Sequence, residues 1–285
     1  MFTQAKKILK GAKQGGYAVP AFSTSNLEIT QAIIRGAVKK KSPLIVLVSP
    51  RSIKYAGAAT IVAMVKSITE EEAKNIPVAL LLDHGKNLKT VKEAIKAGFS
   101  SVMIDGSSLS FKKNAALTKN VVRYAHRYKV DVQGELGGVP YFKKNPEKVD
   151  WEKVMTDPDK AQEFVKITGV DTLAVAIGNA HGFSKERENL DWNRLNEIHK
   201  KVNLPLVLHG ASDFKYKNAP RAIKGGVACF NIDTALKIAF FNSLKKFLKN
   251  NPKVYDPREI LEFTSCAVQK VVEEKIEAFG SAGKI

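Results

Sequence analysis

The feature that most constrains this chain is a repeating unit. A short apolar run is followed by an amphipathic stretch, and the pair recurs eight times at about 25–30 residues per unit. The clearest run is PVALLLDHG at 77–85, which is apolar until it stops at Asp83 and His84. Strands of a parallel sheet are covered on both faces, so they read as continuous hydrophobic runs. Polar groups at the carboxyl ends of such strands emerge where α/β proteins bind ligands.

The other runs fall at 17–22 (YAVPAF), 43–49 (PLIVLVS), 101–106 (SVMIDG), 130–137 (VDVQGELG), 172–178 (TLAVAIG), 204–210 (LPLVLHG) and 228–234 (ACFNIDT). Helical spacing of apolar residues predicts helices over 27–41, 56–74, 87–98, 111–128, 157–169, 191–202, 218–226 and 234–250. Asp157 is placed to cap its helix, with Pro158 in the first turn. Residues 139–156 show no period and read as a long loop, the kind that in compact domains is often functional.

This order predicts an α/β protein, a (β/α)8 TIM barrel forming one domain over 1–285. An N-terminal cap helix comes from 1–16, where Phe2, Ala5, Ile8 and Leu9 share a face. An extra C-terminal helix comes from 257–280. An open doubly wound sheet is the alternative, but no GxGxxG follows the first strand.

Composition narrows the function classes. The net charge of +18 is mostly lysine spread over every predicted helix, which reads as a solvated surface with some attraction for anions. No helix-turn-helix, zinc-finger or RNP motif supports nucleic-acid binding. Two cysteines, Cys229 and Cys266, make neither a disulfide framework nor a thiolate zinc site and fit a reducing, cytoplasmic setting. No stretch approaches a membrane span, and the first residues lack the apolar core of a signal peptide.

In a barrel the strand ends converge on one face. Three of the five histidines, His84, His181 and His209, fall at those ends. Three imidazoles from separate strands with a fourth position open form the ligand set of a catalytic zinc site. Asp83, beside one of them, is a candidate general acid or base, whereas Asp105 and Glu135 are candidates to support a ligand or hold a second ion. Each carboxylate taken singly could instead cap the following helix. Gly182, Lys185, Gly210, Ser212 and the turn Asn231, Asp233, Thr234 look like phosphate-binding equipment, since small residues let backbone N–H groups approach an anion.

Together these motifs, in this order, resemble the class II, zinc-dependent ketose-bisphosphate aldolases over essentially the whole chain. YAVPAF, LDHG, SVMIDGS, ELG, TGVDTLAVAIGNAHG, LPLVLHGAS, NIDT and the C-terminal helix carry the resemblance. It implies that His84, His181 and His209 bind zinc, that Asp83 moves the proton of the hydroxyl at the cleaved bond, and that Asp105 and Glu135 hold a second or alternate cation, divalent or monovalent. Gly182, Lys185, Gly210, Ser212, Asn231, Asp233 and Thr234 would bind the dihydroxyacetone phosphate half. It further implies a sugar phosphate substrate and a homodimer or homotetramer.

The chain also departs from the family pattern. Leu81 stands where HLDHG is common, and Ser23 follows the first strand in place of Asn. The loop GGVPYFKKNPEKVD lacks the usual acidic pair, with Glu147 as a substitute. Ala211 and Asp213 replace glycines, Ala235 an acid and Cys229 a lysine. Three activities follow: cleavage of fructose 1,6-bisphosphate; cleavage of another ketose phosphate, such as tagatose 1,6-bisphosphate or a dehydro-deoxygluconate phosphate; or metal and sugar-phosphate binding with impaired turnover. A Schiff-base aldolase needs a lysine within a barrel strand, and the strand segments contain none.

Overall fold

The structure, a computed structural model, describes residues 2–141, 149–182 and 190–285. The chain begins with α1 (Ala5–Gly15), β1 (Val19–Ser23), α2 (Leu27–Lys39), β2 (Leu44–Val48), α3 (Pro50–Ala56), α4 (Ala58–Glu72) and β3 (Val78–Gly85). It continues with α5 (Leu88–Ala97), β4 (Ser101–Ile104), α6 (Phe111–Arg127), β5 (Asp131–Leu136), α7 (Trp151–Val154), α8 (Pro158–Thr168) and β6 (Thr172–Val175). It ends with α9 (Trp192–Lys201), β7 (Leu206–Leu208), α10 (Ala219–Lys224), β8 (Val227–Ile232), α11 (Thr234–Asn250) and α12 (Pro257–Ala278). All eight strands run parallel in sequence order and close into a barrel. Closure is explicit at Ala21, which is registered with Ile45 of β2 on one side and Asn231 of β8 on the other.

Side-chain alternation splits the apolar residues into two cores. Val46, Leu80, Val102 and Val132 point outward to a mantle with Ile33, Ala37, Val65 and Val121 from the helices. Ala21, Leu47, Ala79, Leu81, Met103, Ala174 and Val207 point inward. Helix α1 fills the amino end of the barrel by inserting Ala5, Ile8, Leu9 and Ala12 among these inward residues. It has no side-chain N-cap bond of its own, and the strands supply two acceptors instead. Ala5 N donates to Ser101 Oγ at 2.8 Å, Lys6 N donates to Asp131 Oδ2 at 3.0 Å, and Ser101 Oγ donates to Asp131 Oδ1. These bonds satisfy N–H groups that a helix start leaves orphaned.

The helix expected over 56–74 is α4, and the sequence reading has no counterpart for α3, the short helix that ends before it at Gly57, whose φ is 83°. The loop expected over 139–156 contains α7, whose Asp150 caps Lys153 N. Asp157 caps α8 by accepting from Asp159 N and Lys160 N. Helix α12 crosses α2 closely: a Cβ on Gly36 would meet Val272 Cγ1 at 2.7 Å. Among the described residues, no helix is long and apolar enough to cross a membrane.

Candidate active site

The carboxyl end of the barrel opens into a cleft of about 370 Å³. Asp83 and His84 enter it from β3, His181 and Gly182 from the turn after β6, and His209, Gly210 and Ser212 from the turn after β7. Asn231, Asp233 and Thr234 close the ring from β8 and the start of α11. Asp105 and Glu135 lie behind His84 and are almost fully buried. Lys185 and Glu147 lie outside the described residues.

His84 is held by an unusual backbone. Its φ is 51°, a region that side chains other than glycine seldom adopt, and such outliers cluster at functional sites. Gly85 next to it cannot be larger, because a Cβ there would meet Met103 O at 2.6 Å. Gly210 is constrained further: its φ is 66°, and a Cβ would lie 1.9 Å from Ala180 O. That contact brings the turns carrying His181 and His209 together.

The three imidazoles are in mutual ring contact. Ring centroids are 4.7 Å apart for His84 and His209, 5.0 Å for His84 and His181, and 5.9 Å for His181 and His209. One nitrogen from each ring lies within 4.8 Å of the others, a spacing that admits a divalent ion. His84 Nε2 faces His209 Nδ1 at 3.0 Å. The other His84 nitrogen, Nδ1, is 2.9 Å from Asp105 Oδ2. A carboxylate on the far nitrogen of a ligating histidine is the usual device for fixing its ring. Tyr141 stacks on His181 at 4.6 Å, and Asn231 Nδ2 donates to His209 Nε2 at 3.1 Å.

A second set, His84, Asp105 and Glu135, is equally tight and shares the same imidazole. Glu135 Oε2 is buried without a hydrogen-bond partner and lies 3.9 Å from His84 Nδ1. Lys86 already pairs with Asp105, so part of that charge is met by the protein itself.

The buried groups of this cluster shift one another's protonation. Burial pulls His84 down, but Asp83, the bond to Asp105 and Glu135 outweigh it and lift the ring to about 9. Burial raises Glu135 to about 8 and also raises Asp83, with His84 opposing both. Burial disfavours the charge on Asp105 as well, but hydrogen bonds from His84, Lys86 and Ser107 hold it well below the usual carboxylate range. Burial and the two neighbouring imidazoles hold His209 well below its ordinary value, so it stays a neutral ligand. The orphaned carboxylate oxygen, the neutral His209 and the converging nitrogens all fit a bound divalent ion.

Leu81, where a histidine was the usual pattern, lies one inward layer below Asp83 and packs in the plug core. The replacement leaves the ligand cluster intact. Several cleft residues were missed in the sequence: Ser49, Arg51 and Ser52 at the start of α3, Tyr141, and Lys237. Lys237 pairs with Asp233 one turn away at 2.5 Å, a spacing recognisable in the sequence once the helix start is known.

The model of the class II fructose-bisphosphate aldolases matches residues 3–284. The chain belongs to that family. Among solved structures, the YdjI aldolase of Escherichia coli K12 is 31% identical, with a TM-score of 0.86 over 100% of this chain and 99% of that one. A protein assigned as a fructose-1,6-biphosphate aldolase of Coccidioides immitis is 33% identical, with a TM-score of 0.87 over 99% and 98%. The fructose-bisphosphate aldolase of Campylobacter jejuni shares the fold at 23% identity, with a TM-score of 0.83 over 99% and 95%. This aldolase is thus a lyase of a family that generally uses a divalent metal, and its histidine cluster suits one.

Proposed function

We propose that this aldolase is zinc-dependent and reversibly cleaves fructose 1,6-bisphosphate to dihydroxyacetone phosphate and glyceraldehyde 3-phosphate, a step of glycolysis. The observation that carries this reading is the convergence of three ring nitrogens, from the ends of β3, β6 and β7, beside the buried Asp83. His84, His181 and His209 would hold the ion, with Asp105 and Glu135 as a second or alternate site. When bound, the ion supplies Lewis acidity to the substrate carbonyl.

The chain's own residues do the rest. Asp83 takes the proton from the C4 hydroxyl as the C3–C4 bond breaks and the electron pair moves toward the C2 carbonyl. Burial raises the Asp83 carboxyl, which strengthens it as the acceptor of that proton. Asn231 Nδ2 lies 3.5 Å from Asp83 Oδ1 and orients it. Gly182, Gly210, Ser212, Asp233 and Thr234 form the corner for the dihydroxyacetone phosphate end, where a helix start favours an anion. Among the described residues no strand contains a lysine, so a Schiff-base route lacks its amine there.

Residues 1–285 act as one catalytic domain in this reading, in the cytoplasm. Phe241 and Phe263, exposed on α11 and α12, support assembly as a homodimer or homotetramer. The test is retro-aldol cleavage of fructose 1,6-bisphosphate beside tagatose 1,6-bisphosphate, coupled to triose phosphate detection. A clear preference for the fructose substrate is expected, and equal or better use of the tagatose substrate would overturn the assignment.

A further inference from the structure

Lys275 is the lysine that this lysine-rich chain buries among its described residues, at 4% exposure. An ammonium group loses hydration on burial and normally needs a paired anion. Lys275 Nζ instead donates to a neutral group, the Ser212 carbonyl, at 2.9 Å. It also lies 4.7 Å from the centre of the Tyr216 ring and 6.0 Å from that of Phe279. Of the two nearby carboxylates, Glu274 on the same helix accepts a hydrogen bond from Tyr216 Oη at 2.7 Å, and Asp213 follows Ser212 in the turn.

Ser212 is thereby held at both of its oxygens. Its carbonyl accepts from Lys275, and its hydroxyl accepts from Asp233 N at 3.3 Å and Ala235 N at 3.1 Å. The same serine lines the catalytic cleft. A cation on α12 is therefore joined to the turn after β7 and, through it, to the first N–H groups of α11.

We propose that Lys275 is a positioning residue of this aldolase: from α12 it fixes the Ser212 turn and places a positive charge behind the corner that takes the substrate's phosphate. This rests on the reading that the cleft accepts a phosphorylated ketose. Cleft residues in direct contact with an anion need its charge matched, and a buried cation behind them is weakly screened by water. Burial holds the ammonium down at about 8, against the pull of Glu274 and Asp213. Phosphate affinity should therefore weaken as pH rises through that region.

The decisive variants are Lys275→Gln, which keeps a donor for the Ser212 carbonyl without the charge, and Lys275→Met, which removes both. Lys270→Gln, at an exposed position on the same helix, controls for the overall charge. Binding of dihydroxyacetone phosphate and of inorganic phosphate is measured by calorimetry between pH 7 and 9.5, with KM and kcat for cleavage alongside. Loss of a charge-assisted contact predicts about tenfold weaker binding for Lys275→Gln at pH 7, in KM more than in kcat. Wild type and Lys270→Gln should weaken with rising pH, whereas Lys275→Gln should not. Unchanged affinity in Lys275→Gln, or the same pH dependence in it as in wild type, would overturn the proposal. If Lys275→Met is insoluble, Lys275→Gln decides. Wild type that binds dihydroxyacetone phosphate without cleaving any ketose phosphate contradicts the proposed function but still tests Lys275. Wild type that binds neither phosphate probe contradicts both.

Discussion

At the amino end of the barrel, α1 presses Ala5, Ile8, Leu9 and Ala12 among inward strand residues, and Ser101 and Asp131 take up its leading N–H groups. At the carboxyl end, His84 Nε2 faces His209 Nδ1, a Glu135 oxygen has no hydrogen-bond partner, and His84 sits at positive φ. The same eight strands supply both ends. One end is complete as the chain folds, and the other brings like groups together around a place for a cation. On the proposed function, the difference is that between stability and chemistry, in the way barrels divide their two faces.

The sharpest way to break this contrast is His209→Ala. Losing one of three ligands should lower kcat/KM by more than about a thousandfold and release the metal. The melting temperature of the metal-free protein should change little; steady-state kinetics, elemental analysis and thermal melts on one preparation check this. Leu9→Ala probes the opposite end. It opens a cavity in the plug core and should cost about 2–5 kcal/mol in urea unfolding, with kcat per folded molecule nearly unchanged.

Asp131→Asn is a milder test at the same end, costing about 1–3 kcal/mol because an acceptor for α1 or for Ser101 is lost. Burial raises Asp131 to about 6 from an ordinary 3.8, with Ser101 and Lys6 N opposing. Between those values the folded protein keeps a proton that the unfolded chain has released, so this residue's contribution to stability falls as pH rises from about 4 to 6. The stability difference between wild type and Asp131→Asn should slope downward over that window and flatten above it. A flat difference would show that Asp131 is charged throughout.

The smallest effect concerns the site before metal enters. With His84 lifted to about 9 by its carboxylate neighbours, it carries a proton at neutral pH. Metal loading at pH 7 should release about one proton, seen as a calorimetric enthalpy that depends on the buffer's ionisation heat. Buffer-independent heat would place His84 neutral beforehand.

Much of this arrangement was legible in the sequence. The run ending in Asp83 and His84 announced a buried parallel strand, and its recurrence announced the barrel. Strand ends converge in that fold, so His84, His181 and His209 could be grouped without knowing any distance. What was not legible depends on tertiary placement. Helix α3 has no buried residue and hence no periodic signal, so Arg51 and Ser52 fall between the predicted elements and Ser49 ends a predicted strand. Tyr141 sits in an aperiodic loop, and its stacking on His181 has no local signature. Lys275 follows two glutamates in a charged stretch and reads as surface, whereas the crossing of α12 over the turn after β7 buries it.

The central claim is that the carboxyl end is unfinished without a metal. The most direct test is to strip the protein with a strong chelator, verify by elemental analysis that it is metal-free, and measure retro-aldol turnover before and after adding zinc. The account predicts no turnover in the stripped protein and recovery at about one zinc per chain, the capacity of a single three-histidine site. Full turnover by protein shown to be metal-free would contradict it.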